Sequence, residues 1–197
     1  VKKMMSLTRS LAFTVLSLTM LTSCFKSETK SEPMEQVTTS ASVTADDLKV
    51  EESGLSEAKI VIKTVHGNIS FKLYPKKAPN TVTRIIELTQ QGFYDGIIFH
   101  RVIPNFVVQG GDPTGTGTSG SGKKLKAEFN DIQHIKGTVA MARAQDVDSA
   151  DSQFYIALNT LPHLDRSYTV FGQVSEGMEI LEKITQGDKI ITMTFQP

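Results

Sequence analysis

The stretch FHRVIPNFVVQGGDP, residues 99–113, reads as a buried, twisted pair of short strands. Phe99, Val102, Ile103, Phe106, Val107 and Val108 suit such a pair, being aromatic or β-branched. Arg101 and Gln109 do not, and a guanidinium buried without a partner is among the costliest groups to place in a core. Their presence in the run predicts a specific use for them. The ordinary alternative for Arg101 is a structural ion pair with Asp112 or Glu128.

Working outward, AKIVIKTV (58–65) alternates Ile60, Ile62 and Thr64 against Lys59, Val61 and Lys63, and HGN (66–68) turns the chain into ISFKLY (69–74). This pattern predicts a first β-hairpin. Pro75 and Pro79 bracket a break. After it, PNTVTRIIELTQQG (79–92) carries Val82, Ile85, Ile86 and Thr89 at helical spacing, with Pro79 fit for the first turn and Gly92 for the C-terminal cap. Further short apolar runs follow at 97–103, 106–110, 137–142, 152–158 and 168–174, each bounded by Gly, Pro, Asp or Asn. A second helix is expected over EGMEILEKITQG (176–187), with Met178, Leu181 and Ile184 inward, and KIITMTF (189–195) closes the chain as a strand. Seven or eight short strands with one early and one late helix do not alternate as a parallel α/β fold requires. A mainly β fold, a closed antiparallel barrel with a helix at each end, accommodates them and removes exposed strand edges.

The first residues read differently. VKKMMSLTRS is basic and about eleven apolar or small residues follow, fewer than the roughly 20 needed to span a bilayer. LTSC, ending at Cys24, resembles the bacterial lipobox, in which the cysteine is lipidated. The expected organisation is a lipoprotein signal peptide over 1–23, a lipidated Cys24 with a flexible tether over 24–57, and a globular domain over 58–197. Residues 25–57 are rich in Ser, Thr and Glu and poor in aromatics, too polar to offset the entropy of ordering. As a coil of about 33 residues the tether spans roughly 30 Å, although Val43, Leu48, Val50 and Leu55 also fit a short helix. Cys24 is the sole cysteine, so the fold has no disulfide available.

Other chemistries lack their residues. The formal charge of +0 gives no footprint for nucleic acid. Gly117, Gly122 and Lys123 imitate the start of a phosphate-binding loop, but Lys124 stands where a magnesium-ligating hydroxyl is needed, so the stretch reads as a flexible glycine-rich loop. His66 in a turn, His134 in a polar loop, His100 and His163 have no companions at metal-ligand spacing, and no metal or cofactor is expected. Asp146, Asp148 and Asp151 lack the glycine and glutamate of a calcium loop and read as a solvated loop.

FYDGIIFHRVIPNFVVQGGDPTGTG, GTVAMARA and SQFYIALNTLPHLDRSYTVFGQV together resemble the cyclophilin family of peptidyl-prolyl isomerases, in the family's order and across residues 58–195. The resemblance implies an eight-stranded antiparallel β-barrel capped by two α-helices. It also implies that Arg101 is the principal catalytic residue, acting with Phe106 and Gln109. Substrate-contacting positions fall on Val107, Ala142, Arg143, Ala144, Tyr155, His163, Leu164 and Tyr168. Val107 replaces a methionine of the eukaryotic pattern, Arg143 an asparagine, Tyr155 a phenylalanine and Tyr168 a histidine. His163 stands where many members carry a tryptophan linked to tight cyclosporin binding, so weak cyclosporin binding is expected.

The expected partners are proline-containing polypeptides and, through Cys24, a membrane of the cell envelope. A monomer is expected because nothing in the sequence suggests an exposed apolar stripe. A different class of protein, a chaperone or adhesin that holds proline segments without turnover, fits the same barrel. Arg101, Phe106 and Gln109 together favour the enzyme.

Overall fold

The computed structural model describes residues 58–197; the segments read as signal peptide, lipidated Cys24 and tether lie outside the described residues. Eight strands form one antiparallel sheet: β1 (Lys59–Thr64), β2 (Gly67–Leu73), β3 (Arg101–Ile103), β4 (Val107–Gly110), β5 (Thr138–Met141), β6 (Phe154–Ala157), β7 (Val170–Glu176) and β8 (Thr192–Gln196). Their order across the sheet is β3-β4-β6-β5-β7-β2-β1-β8. Among the described residues no ladder joins the two edge strands, β3 and β8, so closure is not the uniform barrel expected. The segments just before each of them meet instead. Gly96 N–H donates to Ile190 O (2.7 Å), Ile190 N–H to Ile97 O (2.8 Å), Phe99 N–H to Asp188 O (2.8 Å) and Gly187 N–H to Phe99 O (3.0 Å).

Alternation along the strands decides what faces the interior. Ile60, Ile62 and Thr64 of β1 are buried, as their spacing predicts, and pack with Ile69 and Phe71 of β2. Phe71 meets Phe171 edge to face at 6.1 Å, and Tyr94 meets Phe154 at 5.7 Å, a geometry that suits the ring quadrupoles. In β4, β5 and β6 both faces are covered. Val108, Val139, Met141, Phe154 and Ile156 enter the main core, whereas Val107, Ala140, Tyr155 and Ala157 enter a second, smaller cluster.

Helix α1 (Pro79–Gln90) lays Thr81, Val82, Ile85, Leu88 and Thr89 on the core. Its N-cap residue, Ala78, offers no side-chain acceptor. Glu128 supplies one from a distant loop, accepting from Asn80 N–H (2.9 Å) and Thr81 N–H (2.8 Å), which satisfies donors that a helix start leaves open. At the other end Gly92 takes φ 68°, the left-handed conformation expected of a helix terminator.

The second helix, α2 (Met178–Leu181), is a single turn rather than the twelve-residue helix the sequence suggests. Leu181 and Ile184 are buried as expected. Beyond Leu181, however, the chain tightens into i→i+3 bonds, and Asp188 accepts from Thr185 N–H (2.8 Å) and Thr185 Oγ1 (3.0 Å). That turn delivers residues 187–190 to their partners before β3, so tertiary closure overrides helical periodicity.

The glycine-rich loop is also better anchored than a flexible loop. Asp112, fully buried, accepts from Thr114 N–H (2.7 Å), Thr114 Oγ1 (2.8 Å) and Ser119 N–H (3.1 Å). Burial pushes its carboxyl up, but hydrogen bonds from Ser119, Thr114 and Gly117 together outweigh burial and hold it below the usual range. Asp151, read above as part of a solvated loop, holds the other side through Ser121 N–H (2.8 Å) and Gly122 N–H (2.9 Å). Gly111, at φ 89°, lies so close to Ser152 O that a Cβ would sit 2.4 Å from it, so only glycine allows this crossing.

Replacing the cap, Glu128→Gln, is expected to lower unfolding stability by about 1 kcal/mol. In the wild type, burial opposes ionisation of Glu128, but bonds from Asn80 and Thr81 prevail and depress its carboxyl. The stability it contributes is therefore present above its unfolded-state pKa and lost as pH falls through the folded one. Urea unfolding at neutral and acidic pH checks this: E128Q is expected to lose less stability on acidification than the wild type.

Candidate active site

The β3–β4 pairing sets Arg101 directly opposite Gln109. Arg101 Nη1 donates to Gln109 Oε1 at 3.2 Å. Gln109 Nε2 donates to Gln153 Oε1 (3.0 Å), and Gln153 Nε2 to Ser119 O (2.8 Å). This relay fixes which way the Gln109 amide faces, oxygen toward the guanidinium. The burial expected of Arg101 does not occur: it lies exposed on an edge strand, where only Val102 turns inward. The ion pair is excluded as well, since Asp112 and Glu128 are engaged by the loop and by α1. The cation is left at the rim of a hollow, held by a neutral partner and lying 5.4 Å from the centroid of the Phe106 ring.

That hollow, about 170 Å³, is lined by Arg101, Phe106, Val107, Gln109, Ala142, Arg143, Tyr155, Leu164 and Tyr168. Strand period brings Val107, Gln109 and Tyr155 to one face, since Gln109 pairs with Tyr155 across β4 and β6. Phe106 enters from the β3–β4 turn, in which Asn105 adopts φ 60°, and Leu164 from a 3₁₀ turn, Pro162–Leu164. Two expected residues stand apart. His163 backs the site, stacked on Phe106 with centroids 6.0 Å apart and planes at 12°. Ala144 lines a neighbouring hollow of about 460 Å³ that shares Gln109, Ala142 and Arg143 with the first.

The Arg143 side chain is committed to carbonyls. Nε and Nη2 donate to Ser167 O at 3.1 and 3.0 Å, and Nη1 to Ala144 O at 3.0 Å. Its guanidinium also covers Tyr168, 4.9 Å from the ring centroid. It thus fastens two loops beside the hollow, and Arg101 is the cation whose side chain stays exposed.

Sequence reasoning missed His134. It lies in a loop, as expected, but its side chain turns inward and is fully buried, and its backbone N–H and Nδ1 both meet Asp165 Oδ1, at 2.7 and 2.9 Å. Those two bonds hold the Asp165 carboxyl below the usual range. An ionised carboxylate only accepts, so Nδ1 carries the proton and Nε2 accepts from Tyr155 O–H at 2.9 Å. Burial pushes the Tyr155 phenol well above its ordinary range, which keeps it a donor. The available signal was Tyr155 itself: a buried phenol on a core strand requires an acceptor, and a histidine is a ready one.

An antiparallel sheet carrying a small hollow, with Phe106, Val107 and Leu164 on its wall and a guanidinium at its rim, has room for a compact ring beside a cation. Comparison with known proteins narrows that description. Residues 59–194 match the family model described as cyclophilin type peptidyl-prolyl cis-trans isomerase. A peptidyl-prolyl cis-trans isomerase of Helicobacter pylori is 45% identical over 149 residues, 74% of this chain and 91% of that protein. Peptidyl-prolyl cis-trans isomerase B of Bacillus subtilis is 48% identical over 122 residues, 61% and 85% of the two chains. A cyclophilin-type isomerase of Cryptosporidium parvum, solved in the presence of the dipeptide Ala-Pro, superposes with a TM-score of 0.66 at 29% identity, covering 71% of this chain and 99% of that one. The chain belongs to the cyclophilin-type peptidyl-prolyl cis-trans isomerases, and isomerisation of prolyl peptide bonds is its activity.

Tyr155→Phe keeps the ring in the hollow but strands His134 Nε2 without a donor. It is expected to leave isomerase kcat/KM within about threefold of wild type while costing about 1–3 kcal/mol of stability, read by peptide isomerisation and urea unfolding of the same preparation.

Proposed function

We propose that this isomerase acts on X-Pro bonds of proteins outside the cytoplasm and assists their folding, with Arg101 as the group that stabilises the twisted amide. The supporting observation is the Arg101–Gln109 pair at the rim of the hollow. Rotation about a prolyl bond breaks amide resonance against a barrier of roughly 18–20 kcal/mol and takes tens to hundreds of seconds unaided. As the bond twists, the nitrogen lone pair is released from resonance. A cation donor aimed at it then bonds more strongly to the twisted state than to the planar one, and this difference is catalysis. No covalent bond is broken, so neither nucleophile nor metal takes part.

In this reading Phe106, Val107, Tyr155 and Leu164 hold the proline ring while the other side of the bond turns. Gln109 keeps the guanidinium in position, and its own place is kept by Gln153. A guanidinium offers its donors in a rigid planar fork, and that of Arg101 stands at the rim of the hollow. The bond to Gln109 preorganises the guanidinium, so little reorganisation is needed when the lone pair appears. Outside the described residues, the basic start, the short apolar core and LTSC support a lipid on Cys24 and a place in the cell envelope. Clients are then proteins folding beyond the membrane. The same reading carries a monomer, and weak cyclosporin binding because His163 fills the tryptophan position.

Arg101→Ala is expected to lower kcat/KM for a short X-Pro peptide by about 100- to 1000-fold, the effect of removing one preorganised donor. Circular dichroism of the variant is expected to be native, because Arg101 is exposed. Equal turnover by wild type and variant would remove Arg101 from the mechanism. Binding of the peptide without turnover by either would make the protein a holder of proline segments.

A further inference from the structure

A second cleft, about 330 Å³, lies away from the proline hollow between α1 and the segment following the glycine-rich loop. Asn80, Thr83, Arg84 and Glu87 line it from the helix, and Lys123, Lys124, Leu125 and Lys126 from the other side. Four cationic side chains thus face one carboxylate, in a chain whose formal charge is +0. Glu87 is already bound to Arg84 Nη1 at 3.1 Å. Among the described residues Lys123, Lys124 and Lys126 have no ion-pair partner. Arg84 donates through Nη2 to Ser121 Oγ (2.9 Å), which holds its guanidinium beside the lysine segment. A guanidinium and nearby ammonium groups are natural partners for an incoming carboxylate.

The lysines stand on a fixed backbone. Leu125 N–H donates to Ala150 O (2.8 Å), Gly122 N–H to Asp151 Oδ2 (2.9 Å) and Ala127 N–H to Asp148 Oδ1 (2.9 Å). Lys124 also lines the hollow of about 460 Å³, which in turn shares Gln109, Ala142 and Arg143 with the proline site. The surface is therefore continuous from the site to the cleft. The open amides at the start of α1 are occupied by Glu128, so the attraction comes from the side chains.

We propose that this cleft receives acidic side chains of the client, so that the isomerase favours X-Pro segments carrying Asp or Glu at a distance from the proline. The inference rests on the reading that the site takes proline-containing polypeptides. Contacts so far from the rotating bond are equal in the planar and twisted states. They lower KM and leave kcat unchanged, and added salt weakens them because the lysines are exposed.

The test compares a neutral X-Pro peptide with a series in which a Glu-Glu pair is moved outward from the proline on either side, using the full chain and its Lys123→Gln/Lys126→Gln variant. At low salt, one placement is expected to lower KM by about three- to tenfold, as exposed pairs commonly do, with kcat unchanged. The double variant is expected to abolish that preference while isomerising the neutral peptide as the wild type does. A wild type indifferent to every acidic placement, or a preference that survives in the variant, overturns the proposal. So does an oligonucleotide that displaces the acidic peptide and binds more tightly. Turnover of the neutral peptide reports separately on the isomerase site: if it fails, the function reading fails with it, and fluorescence anisotropy of the acidic peptide still decides the cleft.

Discussion

Each step along a β-strand turns the next side chain to the opposite face, and the site depends on three adjacent strands that are apolar on both faces. In β4 Val108 fills the core while Val107 and Gln109 face outward; in β6 Phe154 and Ile156 face in while Tyr155 and Ala157 face out. The hollow is thus the reverse side of the hydrophobic core. A one-residue slip in register would exchange the two faces. Burial of Phe154 and Ile156 therefore holds Tyr155 in place as firmly as any contact within the hollow does.

Carboxylates do much of the remaining organisation. Asp112, Asp151 and Asp165 each accept backbone N–H groups from loop segments, and Glu128 accepts those at the open start of α1. With one cysteine in the chain and so no disulfide within it, these acceptors take the part that cross-links play in disulfide-rich folds. They also keep the wall of the site in shape. Asp112 binds Ser119 N–H, and Ser119 O receives the Gln153 amide that orients Gln109 and, through it, Arg101.

What was legible in the sequence follows from locality. The β1–β2 hairpin and α1 have periodicity, turn residues and, for α1, Pro79 and Gly92 at its two ends within a few positions, and both formed where expected. The residues gathered around the hollow were legible through the family pattern, not through spacing. Three features were hidden because their causes are distant in sequence. Arg101 is exposed because β3 is an edge strand, a fact of topology. His134 is buried because Tyr155, 21 positions on, needs an acceptor. The late helix shortens because residues 187–190 are drawn to 96–99, far earlier in the chain.

That last junction is built differently from the rest of the sheet. Elsewhere around the sheet neighbouring strands are joined by ladders; here the seam is four backbone bonds between irregular segments. Phe99, which makes two of them, is two residues from Arg101. Any breathing that parts the seam lifts the start of β3 and tilts the guanidinium away from the hollow. The geometry of this one joint is therefore tied to where the Arg101 guanidinium sits at the rim of the hollow.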